Sequence, residues 1–143
     1  MSDIANHLER AQVDRSIEFR LAASVENLAV LRTLVGAVGT FEDLDIDAVA
    51  DLRLAIDEAC TWLIKFAVPG SALVVVVRPL EHEMVVDTST ICDNVETMEP
   101  GSISWHVLSS LTDEVRTFQD GEGPGKAQVF GISMTTRRVS AVK

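Results

Sequence analysis

DLRLAIDEACTWLIKFA, residues Asp51 to Ala67, is the stretch on which the fold turns. Val49, Leu52, Ile56, Ala59, Leu63 and Phe66 recur at spacings of three and four, which predicts an amphipathic helix with one face on a core. Asp45 or Asp47 supplies the N-cap, since either carboxylate accepts from the unpaired N–H groups of a first turn. Pro69 and Gly70 stop the helix. Beside the core stripe runs a second one, Asp51, Ala55, Glu58, Trp62 and Lys65. Glu58, with Trp62 one turn later, reads in two ways. It is a solvated helix edge with a partly packed indole, or a general base activated by partial desolvation against that indole. Spacing leaves both open.

Upstream, Ile17, Phe19 and Leu21 alternate with Glu18 and Arg20, the period-two pattern of a half-buried strand. Ser24 is placed to cap a helix whose stripe is Val25, Leu28, Leu31, Val35 and Val38, ending at Gly39 and Thr40. Downstream, ALVVVV (72–77) is dense in β-branched residues and suits a central strand covered on both faces. A polar turn from Leu80 to Glu83 returns MVVDTST as a hairpin partner. ICDNVETMEPG (91–101) reads as a loop, of the kind that forms lids or contact surfaces. Ser102 caps a short helix to Leu111 with Ile103, Val107, Leu108 and Leu111 inward. Glu114 to Gln119 and Val129 to Thr135 are strands around a Gly-rich hairpin loop, Asp120 to Lys126.

The order β, α, α, β, β, loop, α, β, β predicts an α/β (α+β) two-layer sandwich: a mostly antiparallel, mixed sheet with three helices on one face. Residues 1–14 are expected to be a flexible arm, 15–136 the domain, and 137–143, with Arg137, Arg138 and Lys143, a flexible basic tail. With 143 residues, a single domain is the simplest reading.

A formal net charge of -10 disfavours direct nucleic-acid binding, which draws its affinity from clustered Lys and Arg, and suits a basic protein partner or simple solubility. No apolar run approaches the roughly 18 residues of a membrane span. The N-terminus lacks the basic flank and apolar block of a secretory signal, so a cytoplasmic location is expected. The only cysteines, Cys60 and Cys92, have no CxxC spacing, and His7, His82 and His106 have no second ligand at metal spacing. No metal site is expected.

From about Ile17 to Thr135 the chain resembles the anti-sigma factor and serine-protein kinase family of Gram-positive stress and sporulation regulators. DEACTWLIKFA answers that family's SEAxTNAxxHA helix, and LTDEVRTFQD answers its LxDEVxxxxD helix-to-strand junction. The resemblance implies the GHKL ATPase fold shared with histidine kinases, gyrase and Hsp90. It also assigns roles. Glu58 falls on the catalytic base, and Trp62 falls on the Asn that binds the magnesium bridging the ATP phosphates. An indole offers only an N–H and cannot ligate magnesium through oxygen. Asp87 takes the position of the adenine-contacting Asp, with Ser89 and Ile91 in place of glycines. Ser102 and Ser104 replace the glycines of the GxG that turns backbone N–H groups towards phosphate, leaving a degenerate nucleotide site. Arg32 falls near an Arg of the sigma-binding surface, or is simply an exposed helix Arg with its stem on apolar neighbours.

Three functional readings follow from the resemblance. The first is an anti-sigma factor that sequesters an alternative sigma factor, is antagonised by STAS-type anti-anti-sigma proteins, forms a homodimer and needs no cofactor for capture. The alternative is a kinase that uses ATP with magnesium, weakly held, to phosphorylate a serine of the anti-anti-sigma factor. The third is a domain that shares only the fold and serves another protein partner.

Overall fold

The computed structural model describes residues 15–93, 102–120 and 128–139. Strand β1 (Ile17–Ala22) leads through a single 3-10 turn at Val25–Asn27 into helix α1 (Leu28–Phe41). Helix α2 (Ile46–Phe66), the hairpin β2 (Ala72–Pro79) and β3 (Glu83–Cys92), helix α3 (Ile103–Leu111) and strands β4 (Glu114–Asp120) and β5 (Gln128–Arg137) follow. The strands form one sheet in the order β1-β2-β3-β5-β4, and every pairing is antiparallel. The anticipated two-layer sandwich is present, although the expected mixed sheet is purely antiparallel among the described residues.

Strand alternation determines where the core lies. Leu73, Val75 and Val77 of β2, Met84 and Val86 of β3, and Phe130, Ile132 and Met134 of β5 are all fully buried. They meet Leu31 and Val35 of α1, Leu52, Ile56 and Leu63 of α2, and Leu108 of α3. Two hydroxyls on this inner face are satisfied internally: Thr88 donates to the carbonyl of Ile132 (3.1 Å) and Thr90 to that of Ala72 (2.8 Å). Among the described residues the other face carries no helix. Val74, Val76 and Arg78 of β2 are only half-buried there, so the double coverage expected of β2 is corrected to cover on one side.

The helix boundaries differ from expectation in instructive ways. Gly39 does not end α1. It lies inside it, buried against the α1–α2 turn, where an added Cβ would meet the Leu44 and Val49 side chains at 3.4 Å. Val25, predicted to face the core, is exposed because the 3-10 turn rotates it away. Ile103 is likewise exposed, whereas Trp105 packs on the core. Ser102 caps α3 as expected, accepting from the Trp105 N–H at 3.1 Å.

The 1–14 arm, most of the 91–101 loop and most of the Gly-rich hairpin loop lie outside the described residues. The expected basic tail begins later than residue 137. Arg137 is the last residue of β5, and Arg138 is anchored by its Nε donating to the Leu80 carbonyl (2.9 Å) and its Nη2 to Glu42 (2.8 Å).

Candidate functional site

Two adjacent residues of α2 reach in different directions. Asp57 faces Arg32 of α1, with Oδ1 3.1 Å from Nε, close enough for an ion pair but without hydrogen-bond geometry. Glu58 faces α3, where the Ser104 hydroxyl donates to its Oε2 at 2.7 Å. One turn of α2 thus laces the three helices together, with Glu58 and Ser104 on the α3 side and Arg32 on the α1 side. Clefts of about 420 and 380 Å³ flank Glu58; Trp62, Lys65 and Ser104 line the first, and Leu54, Asp57 and Val107 the second.

Trp62 turns into the sheet. Its ring lies 4.7 Å from Phe66 and 5.1 Å from the fully buried Phe130, tilted by 50° and 38°. This is the tilted aromatic packing that adds to burial itself. The position that would present an oxygen to magnesium is therefore held by a half-buried indole, packed against the core on one side and lining the Glu58 cleft on the other. Among the described residues no three His, Cys, Asp or Glu side chains converge. The indole of Trp62 supplies no oxygen donor for magnesium.

Asp87 is not brought to this site. It points from β3 to the helix-free face, where the Arg78 Nη2 donates to its Oδ2 at 2.7 Å, leaving Oδ1 unpaired. Strand parity gives the reason: Met84, Val86 and Thr88 point inward, so Asp87 points out. The aspartate that follows β3 is Asp93, whose N–H donates to the Phe66 carbonyl at 3.3 Å, near the end of α2 that carries Trp62. Parity along MVVDTST was the signal that separates the two. Ser102 is used as a helix cap.

A second polar cluster carried no sequence signal. Glu42, at the α1–α2 turn, keeps only 7% of its side chain exposed and binds Arg15 and Arg138. Burial pushes this carboxyl up, but the hydrogen bonds and charges of the two arginines outweigh it and hold the group below the ordinary glutamate range. Cys60 and Cys92 are free and buried. Burial, with Asp57 adding to it, pushes Cys60 up to about 12, and burial pushes Cys92 up to about 11, so both thiols stay protonated and unreactive near neutrality.

An all-antiparallel sheet with three helices on one face, and with the acidic residue of its longest helix bonded to a neighbouring helix, defines a two-layer α+β domain of the kind anticipated from the DEACTWLIKFA helix. No helix among the described residues is long and apolar enough to cross a membrane. No protein-family model matches the chain. Two curated relatives, the anti-sigma-F factor RsbW of Mycobacterium tuberculosis strain CDC 1551 / Oshkosh and that of strain ATCC 25618 / H37Rv, are each 57% identical to it over 128 residues. The match covers 89% of this chain and 76% of each relative. The chain belongs to the RsbW family of anti-sigma factors.

Proposed function

We propose that this chain is an anti-sigma factor that sequesters an alternative sigma factor by surface contact and is released by a STAS-type anti-anti-sigma protein. The observation that carries the reading is the 57% identity to anti-sigma-F factors over 89% of the chain. Capture needs a complementary surface and no phosphate cradle, so it is compatible with Trp62 where a metal ligand would stand. Arg32 lies on the helix layer with its guanidinium half-exposed, available for a polar contact with the partner. We place the protein in the cytoplasm as a homodimer. The helix-free sheet face supports the dimer, since it offers Val74, Val76 and Ile91 to a second copy.

The test uses purified sigma-F of Mycobacterium tuberculosis, the factor named in the relatives. The full chain is expected to co-elute with it from a sizing column and to keep it from core polymerase. Absence of any complex would overturn the reading. Incubation with Mg-ATP and a serine-bearing STAS protein is expected to give no phosphate transfer. Robust transfer that Glu58→Gln abolishes would replace capture alone with the kinase reading.

A further inference from the structure

The two most exposed large apolar side chains flanking the α1–α2 turn are Phe41, 82% exposed, and Ile46, 83% exposed. Such side chains on a soluble domain mark a contact surface when they gather beside a groove. Phe41 lines such a groove, an open one of about 560 Å³ between α1 and α2 that it shares with Thr33, Ala37, Val49 and Arg53, and Ile46 lies three residues before Val49 on α2. Gly36 shapes its floor. An added Cβ there would lie 3.0 Å from the Arg53 Cδ, so the missing side chain lets the Arg53 stem lie flat as a groove wall.

The rim is acidic. Asp43, Asp45 and Asp47 are all exposed, and they alternate with Leu44 and Ile46 through the turn. Asp43 holds a left-handed backbone, with φ at 61°. On the far side of Phe41 the hollow is bordered by Asp43 and Glu81 as well as Arg15 and Arg138. Those two arginines share the single carboxylate of Glu42 and so leave one positive charge over, against the four negative charges of Asp43, Asp45, Asp47 and Glu81. Arg53 is the one basic residue lining the groove.

We infer that this corner docks a basic amphipathic helix of the captured sigma factor, its apolar face seated on Phe41, Ile46 and the α1–α2 groove and its Lys and Arg residues facing Asp43, Asp45 and Asp47. The inference rests on the anti-sigma reading and assigns that reading a surface. An apolar groove with helical spacing along both walls suits a helix that lays one face into it. The acidic rim selects a cationic helix and steers its approach, and the chain's net charge of -10 acts in the same sense.

The experiment measures sigma-F binding by surface plasmon resonance for the full chain and two variants at low and high salt. The first variant is Phe41→Ser with Ile46→Ser. The second is Asp43→Asn with Asp45→Asn and Asp47→Asn, in which Asn preserves the N-cap preference at position 45. All five side chains are exposed, so thermal midpoints are expected to stay close to that of the unmodified chain. The apolar variant is expected to bind about tenfold more weakly or worse, mainly through faster dissociation. The aspartate variant is expected to associate several-fold more slowly, roughly as far as high salt slows the unmodified chain. If the unmodified chain captures sigma-F and both variants match it, the docking surface is overturned and the anti-sigma reading stands. If the unmodified chain captures no sigma-F, both fall. If the apolar variant keeps capture but changes from dimer to monomer, the groove belongs to a second copy and the inference is overturned.

Discussion

Glu58 and Glu42 are two carboxylates of the helix layer with opposite histories in the sequence. Glu58 sits in the most recognisable motif of the chain, yet it is half-buried and receives one described hydrogen bond, from Ser104. Glu42 sits in no motif, yet it is nearly sealed from solvent and joined by two arginines distant in sequence. The difference teaches that a motif marks what the sequence makes recognisable, whereas burial and pairing mark what the present fold depends on. In this chain the two have separated.

The largest test of that contrast is Glu42→Gln. Breaking a buried ion pair costs about 3–5 kcal/mol, and because Arg15 is more than half exposed, about 3 kcal/mol is expected here, read from urea melts. The same residue predicts an acid response. Its folded pKa is depressed, so its stabilising contribution is present above the ordinary glutamate value of 4.5 and is lost as pH falls through the lower folded value. Melts from pH 7 down to pH 3 are expected to steepen below about 4.5. That component should vanish in the Gln variant, and its persistence would show that other carboxylates carry it.

Trp62→Asn comes next. It supplies the amide that the ancestral pattern calls for, but removes the contacts with Phe66 and Phe130. A loss of about 2–4 kcal/mol is expected with no gain of Mg-ATP binding by calorimetry. Recovery of nucleotide binding at unchanged stability would collapse the distinction between the two regions. The smallest effect belongs to Glu58→Gln. An amide can still accept from Ser104, so about 0.5–1 kcal/mol is expected, with sigma-F capture unchanged.

The sequence made the fold readable wherever period and burial coincide. Leu52, Ile56, Ala59 and Leu63 were placed on the inner face of α2 by spacing alone, and the β2–β3 hairpin followed from its β-branched run. Asp87 shows where this stops. A motif template put it beside Glu58, while the alternation of Met84, Val86 and Thr88 had already turned it to the opposite face. Val25 and Ile103 fit helical stripes but fall at element ends, where the first turn does not repeat the geometry of the interior. The Glu42 cluster was invisible for a different reason. It joins residues 27 and 96 positions apart, and no local pattern encodes such a closure. Arg32 was singled out for a partner contact, but its intramolecular partner Asp57 was not, since that pairing crosses between helices.

The sheet order β1-β2-β3-β5-β4 has a consequence for how the chain is made. Of the described strands β5 comes last in sequence, yet it is an interior strand, and among them it is the one neighbour of β4. During synthesis the backbone edge of β3 therefore stays unpaired until residues 128–137 are available. The described sheet cannot close by stages from its N-terminal side, since β3 and β4 both wait for β5. Arg138, the residue immediately after β5, then reaches back to Glu42, so the stretch that completes this sheet also ties down the helix turn.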